Sequence, residues 1–79
     1  MEKITIDTEF VTLGQLLKMT NIISSGGMSK WFLEENVVYV NGEEEQRRGK
    51  KLRDGDIIKI PNFGTYKVTE LPDGQTDAY

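Results

Sequence analysis

The feature of this sequence that most constrains its fold is a β-type run that ends in a turn. Residues 37–40 read Val-Val-Tyr-Val, which is typical of a strand, and Asn41 and Gly42 follow directly. Asn-Gly after such a run is the strongest short-range signal for a two-residue hairpin, because both central residues of a type I′ turn need positive φ. The sequence therefore predicts a sheet that starts near residue 37, with Gly42 at positive φ.

Further turn signals extend this sheet toward the C-terminus. An Asp-Gly turn leads into a strand pattern at residues 56–60, and an Asn-Phe-Gly turn leads into a closing strand at residues 66–68. Near the N-terminus, residues 3–7 alternate polar and apolar side chains, which indicates a short half-buried strand.

Two short helices are predicted before the sheet. Thr12 and Gln15 have the spacing of a capping box and leucines follow at helical spacing, so the first helix is expected over about residues 13–20. The Ser-Ser-Gly-Gly turn at residues 24–27 supplies hydroxyls able to cap a second helix that ends near Asn36. The predicted fold class is α+β, with an N-terminal helix pair packed on a small, mostly antiparallel β-sheet.

A chain of 79 residues is expected to hold a single core. One domain is predicted over residues 1–71, followed by a flexible polar tail over residues 72–79. The predicted core is apolar throughout and consists of Leu13, Leu17, Phe32, Leu33, Val38, Val40 and Ile58.

The composition lowers the expectation of catalysis. The chain contains no cysteine and no histidine, so thiol nucleophiles, the usual transition-metal ligands and the commonest general base are all missing. We therefore expect a protein that is not an enzyme and needs no cofactor or metal. The acidic N-terminal segment does not resemble a signal peptide and no run reaches membrane-spanning length, so a cytoplasmic location is expected.

The charge distribution is uneven although the net charge is −3. Half of the ten basic residues fall within residues 47–53, directly after the acidic cluster at residues 43–45: Arg47, Arg48, Lys50, Lys51 and Arg53. Charge alone favours a solvated basic loop that balances the acidic cluster, since charge runs are usually solvated surface. The alternative is a binding site for a polyanion.

Residues 12–60 resemble the S-four RNA-binding domain, also called the alpha-L RNA-binding motif. Its landmarks are an opening leucine helix, a serine and basic residues on the second helix, a Val-x-Val-Asn-Gly hairpin and a final Gly-Asp-x-Ile. The residues of this sequence at the corresponding positions are Leu13, Leu17, Ser25, Lys30, Val38, Val40, Asn41, Gly42, Gly55, Asp56 and Ile58. The whole chain is similar to small stand-alone bacterial domains of the YaaA type. It departs from the pattern at Thr12 and Gly26, where the family has arginines, and at Gly14, where it has aspartate.

The resemblance implies binding to structured RNA, with ribosomal RNA in ribosome assembly or translation as the expected partner. A monomer is expected, and the short chain leaves no room for a second, catalytic lobe. The resemblance favours an RNA-binding role for the basic residues over a merely solvated loop. The implied RNA-binding residues are Lys30, Arg47, Arg48, Lys50, Lys51, Arg53, Ser25, Gly26 and Gly27. Ribosomal particles are a further expected partner. Two alternatives remain: a protein-interaction adaptor that uses the same sheet, and an enzyme acting on RNA, of which this chain would be only the accessory part.

Several side chains admit two interpretations. Trp31 is suited to stacking on an exposed base, but core packing is favoured for a tryptophan in an apolar helix. Tyr39 is expected to face away from the core, as a surface contact or a cross-strand pair. The glycines after Ser25 present backbone amides to which one phosphate can bind, without a full P-loop pattern. Asp54 and Asp56 are expected to be turn-forming acids.

Overall fold

The computed structural model describes residues 1–71. The elements follow in the order β1 (Glu2–Ile6), β2 (Val11–Thr12), α1 (Leu13–Met19), a 3-10 turn (Gly26–Met28), α2 (Ser29–Glu35), β3 (Tyr39–Val40), β4 (Glu43–Glu44), β5 (Lys51–Leu52), β6 (Ile57–Ile60) and β7 (Gly64–Glu70). The α+β class is confirmed. The tail predicted over residues 72–79 lies outside the described residues. Neither described helix is long and apolar enough to cross a membrane.

The main sheet has five strands in the order β1-β7-β6-β3-β4. Strand β1 runs parallel to β7, and the other neighbouring strands are antiparallel, as are β2 and β5 in a separate two-stranded sheet. The sheet is therefore mostly antiparallel, as predicted. The predicted order, with the helix pair ahead of all paired strands, is wrong. Strand β1 lies beside β7 because its alternating isoleucines, Ile4 and Ile6, are buried only on a sheet that the helices cover.

The predicted hairpin is present. Val40 pairs with Glu43, which leaves Asn41 and Gly42 as the two loop residues. Their φ angles are 53° and 87°, so both lie in the left-handed region that a type I′ turn requires. The prediction of positive φ at Gly42 is confirmed.

The capping box that starts α1 is also present. The Thr12 amide donates to Gln15 Oε1 at 2.8 Å, and the Gln15 amide donates to Thr12 Oγ1 at 3.2 Å. The expected hydroxyl cap on the second helix is not formed, because the 3-10 turn separates Ser25 from α2 and Met28 becomes the N-cap residue. Instead, Ser29 Oγ donates back to the carbonyl of Gly26 at 2.8 Å.

The core lies between the helices and one face of the sheet. All seven predicted members are buried, together with Ile4, Ile6, Val11, Leu16, Ile23, Leu52, Ile60, Tyr66 and Val68. The preference for burying Trp31 was wrong, since 57% of this residue is exposed. The buried residues of the seven-residue helix α2 are Ser29, Phe32 and Leu33, which follow one another at the helical spacing of three and four positions. Trp31 does not share this spacing and lies outside the buried face of the helix. Tyr39 faces away from the core between two buried valines, as predicted.

Candidate nucleic-acid interface

The basic segment of residues 47–53 is fastened to the start of α1 by its backbone. The Lys50 carbonyl accepts from the Leu13 amide, and the Arg48 carbonyl accepts from the Gly14 amide, both at 2.9 Å. With Thr12 Oγ1 bound to the next amide, the first turn of α1 has its free N–H groups satisfied. These bonds fix the path of the segment, so its side chains leave from defined positions on the surface.

Gly14 is where α1, α2 and the basic segment come closest. A Cβ atom at this position would lie 3.3 Å from Ser29 Cβ and 3.4 Å from the Arg48 carbonyl oxygen. Ser29 is itself only 2% exposed, so it has little room to move. The glycine at a position where the family pattern has aspartate is therefore explained by this close approach.

A cleft of about 330 Å³ opens beside this contact, and we call it the helix cleft. Its walls come from α1, the 3-10 turn and the basic segment: Thr12, Gly14, Gln15, Lys18, Gly26, Ser29 and Arg48. Two residues predicted as RNA contacts, Gly26 and Arg48, thus meet in one place. Lys18 is an exposed cation that the sequence reasoning missed. Its spacing from Gly14 and Gln15 is the signal that places it on the same face of α1.

The later cations of the basic segment lie against an aromatic ring. Lys51 Nζ is 4.8 Å and the Arg53 guanidinium carbon is 5.3 Å from the centroid of the Phe10 ring, which is within cation–π range. Sequence reasoning missed Phe10, which no local pattern connects with residues 51–53. Neither cation lines the helix cleft.

Phe10 also lines a wider groove of about 840 Å³ between α1 and the β1–β2 connection. Lys18 and Gln15 stand on the ridge that this groove shares with the helix cleft. Asp7 and Glu9 line the groove as well, so their charge opposes an incoming phosphate. The helix cleft has no acidic residue in its lining and is the better anion site.

Arg47 forms an ion pair with Glu45. Its Nε donates to Glu45 Oε2 at 2.9 Å, and its second guanidinium nitrogen donates to Oε1 at 3.2 Å. The Arg47 hydrogen bond, aided by its backbone amide and by the charge of Lys50, lowers the pKa of Glu45 to about 2. The charge of Arg47 is therefore largely balanced within the protein.

The remaining predicted contacts do not line the helix cleft. Ser25, Gly27 and Lys30 are exposed, and Lys30 stands next to the exposed Trp31 on α2. The Lys50 side chain, which is half-buried, is also absent from the lining.

The two acids of the Asp-Gly turn have the structural role that was predicted. Asp54 Oδ1 accepts from the Glu70 amide at 2.9 Å, and Asp56 Oδ2 accepts from the Arg53 amide at 2.8 Å. Both carboxylates serve the turn between β5 and β6.

Comparison with known proteins agrees with this architecture. The sequence matches the model of the S4 domain over residues 4–69. The chain belongs to the S4 domain family. It is 55% identical over 65 residues to the probable ribosome maturation protein RlbA of Bacillus subtilis (strain 168), across 82% of this chain and 92% of that protein. The family match reaches beyond residues 12–60 and includes most of β1 and β7, so all five strands of the main sheet contribute to the S4 domain.

The departures of this S4 domain from the expected pattern coincide with the helix cleft. Thr12 and Gly26, which stand at two positions where arginine was expected, both line it. Lys18 and Arg48 line the same cleft from α1 and from the basic segment. In this S4 domain the cations of the cleft are therefore Lys18 and Arg48, and they do not stand at the two positions where arginine was expected.

Proposed function

We propose that this S4 domain binds structured RNA by holding its phosphate backbone at the helix cleft. The observation that carries the proposal is the convergence of Lys18 and Arg48, from two separate segments, on one cleft without an acidic wall. Within residues 1–71 the one salt bridge joins Arg47 to Glu45, so Lys18 and Arg48 keep their charges for an external anion.

The chemistry of the two cations suits a phosphate ridge. Arg48 offers a planar guanidinium for bidentate contact with phosphate oxygens, and Lys18 offers a mobile point charge. Structured RNA presents phosphates and 2′-hydroxyls on a defined shape, while its deep major groove excludes side chains. A small domain with fixed cations is therefore suited to recognising the shape of an RNA backbone.

Trp31 and Lys30 extend this interface along α2. A tryptophan that is 57% exposed leaves a large apolar surface in water, and stacking on an unpaired base would cover it. The neighbouring Lys30 would contact the phosphate of the same nucleotide. We propose that this pair binds an unstacked base beside the helix cleft.

Ribosomal RNA in the cytoplasm is the proposed partner, and assembly or maturation of the ribosome is the proposed setting. The support is the 55% identity to a protein named as a probable ribosome maturation protein. We propose a binding role without catalysis, since the chain has neither histidine nor cysteine to supply a general base or thiol nucleophile.

The experiment compares the wild type with the double variant Lys18→Gln/Arg48→Gln in binding fragments of bacterial ribosomal RNA at several salt concentrations. Loss of two phosphate contacts should weaken binding and reduce the slope of log affinity against log salt by about 1.4 to 1.8. Gln removes the positive charge and keeps a polar side chain, whereas reversing the charges of the whole basic segment would also break the Arg47–Glu45 pair.

The matched control is Glu34→Gln/Glu35→Gln, which changes two exposed charges on α2 that do not line the cleft. It should leave the salt slope near that of the wild type. Unchanged affinity and slope in the cleft variant would remove the helix cleft as the RNA site and favour a protein-interaction adaptor. Crosslinking in cells, followed by sequencing of the bound RNA, would identify the partner.

A further inference from the structure

The face of the main sheet that points away from the helices carries a cluster of lysines. Alternation along β1, β6 and β7 sends the buried residues to the core and the intervening residues to the opposite, open face. The described strands place nine residues on this open face: Lys3, Thr5, Tyr39, Glu44, Ile57, Lys59, Thr65, Lys67 and Thr69.

The strand register sets the lysines side by side. Lys3 pairs directly with Lys67 across the parallel β1–β7 ladder. Lys59 pairs with Thr65 of β7, which puts it one diagonal step from Lys67. The first separation is about 5 Å between strands and the second about 7 to 8 Å. Three positive charges thus form a triangle across the neighbouring strands β1, β7 and β6.

Tyr39 borders this triangle. It pairs with Lys59 on one side and with Glu44 on the other, at the β4 edge of the sheet. Glu44 is the single acid on the open face of the described strands, and no salt bridge in residues 1–71 involves a lysine of the triangle. The positive charge of the face is therefore not balanced locally.

This arrangement costs stability and calls for an explanation. Like charges directly opposite each other in a sheet are destabilising. Lysine often protects a sheet edge from pairing with other chains, but Lys59 and Lys67 are on β6 and β7, which are interior strands. Edge protection therefore does not account for the cluster, whereas binding of an anion would offset the repulsion.

We propose that the open face of the sheet is a second RNA site, which binds the backbone of an unpaired RNA segment. Lys3, Lys59 and Lys67 contact phosphates, and the Tyr39 ring stacks on a base, as aromatics on a β-sheet do in single-strand recognition. That the ligand is RNA rests on the proposed function, but the residues of this second site are not those of the helix cleft. Because the helix cleft is in the helix layer, one molecule would hold two RNA segments on opposite sides of its sheet.

The test is a titration of isotope-labelled protein with a short oligouridylate, followed through amide chemical shifts. Amides of Thr5, Tyr39, Lys59 and Lys67 should move in the wild type and in Lys18→Gln/Arg48→Gln. They should not move in Lys3→Gln/Lys59→Gln/Lys67→Gln, whose affinity for oligouridylate should fall by about tenfold or more as its phosphate contacts are lost.

The outcomes separate the two sites. Shifts confined to the helix cleft, or sheet-face shifts that survive the triple substitution, would overturn the second site and leave the proposed function standing. Sheet-face shifts together with an inert cleft would support the second site, and the titration with ribosomal RNA fragments would still decide the cleft, which is proposed for structured RNA. The spectrum of the triple variant reports its folding. If it is unfolded, Lys59→Gln alone, at an exposed position, takes its place and should reduce the salt slope by about 0.7.

Discussion

Asn41 and Asp56 are joined side chain to side chain, with Asn41 Nδ2 donating to Asp56 Oδ1 at 3.0 Å. The free oxygen of each then caps a backbone amide: Asn41 Oδ1 accepts from Ile57 at 2.9 Å, and Asp56 Oδ2 accepts from Arg53 at 2.8 Å. The hairpin turn and the turn that ends the basic segment are therefore one hydrogen-bonded unit. This gives a physical reason for the Asn-Gly and Gly-Asp motifs of the family pattern.

Replacing Asp56 by Ala should lower the free energy of unfolding by about 1 to 3 kcal/mol, because two donors lose a charged acceptor. Asp56→Asn should cost less, since the shape and one acceptor oxygen remain. Urea unfolding measures both values. Glu44→Ala, at an exposed position, is the control and should stay within about 0.5 kcal/mol of the wild type. Equal effects of Asp56→Ala and Glu44→Ala would contradict the structural role of this unit.

The neighbours Trp31 and Phe32 should respond oppositely to replacement by Ala. Phe32 is 4% exposed and packs edge-on against Phe63 at 5.5 Å, so its loss should cost about 3 to 5 kcal/mol of stability. Trp31→Ala should change stability little, but it should weaken RNA binding by about 1 to 3 kcal/mol if a base stacks there. Thermal melts and RNA titrations of the two variants are compared. Unaltered RNA affinity in folded Trp31→Ala would exclude this tryptophan from the interface.

Local features of this fold were predictable from the sequence. The Asn41-Gly42 turn and the Thr12 capping box are determined by residues close together in the chain, so a short window contains their physical cause. The seven core residues were also predicted, because apolar periodicity reports which face is buried. Trp31 was misjudged because an apolar run of three residues, Trp31 to Leu33, is wider than the inward stripe of a short helix, which holds only Phe32 and Leu33 of the three.

Relationships between distant segments were not predictable. The pairing of β1 with β7 joins residues 2–6 to residues 66–70, and no local pattern selects that partner. In the candidate site, the approach of Arg48 to α1 depends on backbone hydrogen bonds across more than thirty residues. Phe10 and Lys51 are also more than thirty residues apart. The sequence therefore showed the basic segment without showing which of its cations share a surface.

Stability should decrease in acid through Glu45. The pKa of Glu45 is lowered from 4.5 to about 2 in the folded protein, mainly by the hydrogen bond from Arg47. A group with a depressed folded pKa stabilises fully above its unfolded pKa, so this contribution is present above about pH 4.5 and is lost as the pH falls toward 2. Glu45→Gln should therefore be less stable than the wild type at pH 7, with a difference that shrinks between pH 4.5 and 2. A constant difference across that range would contradict the ion pair.

Gly14→Val should displace the basic segment. Even a Cβ at this position meets Ser29 at 3.3 Å, and the larger side chain should cost about 1 to 3 kcal/mol through overpacking. RNA affinity should fall as well, because Arg48 loses its backbone anchor. Gly27→Ala is the control, since its Cβ would have no contact closer than 4.0 Å. Urea unfolding compares both variants, and RNA titration compares Gly14→Val with the wild type. A Gly14→Val protein as stable as Gly27→Ala would refute the close approach.

The central place of β7 affects how the protein is made. This strand lies between β1 and β6, so β1 has no neighbour in the main sheet until β7 is available. During synthesis from the N-terminus, β1 emerges first, but Ile4 and Ile6 remain without their sheet partner until β7 has left the ribosome. Completion of the fold is therefore a late, post-emergence event, and a message truncated before β7 would yield a chain with an exposed apolar strand that is prone to aggregation.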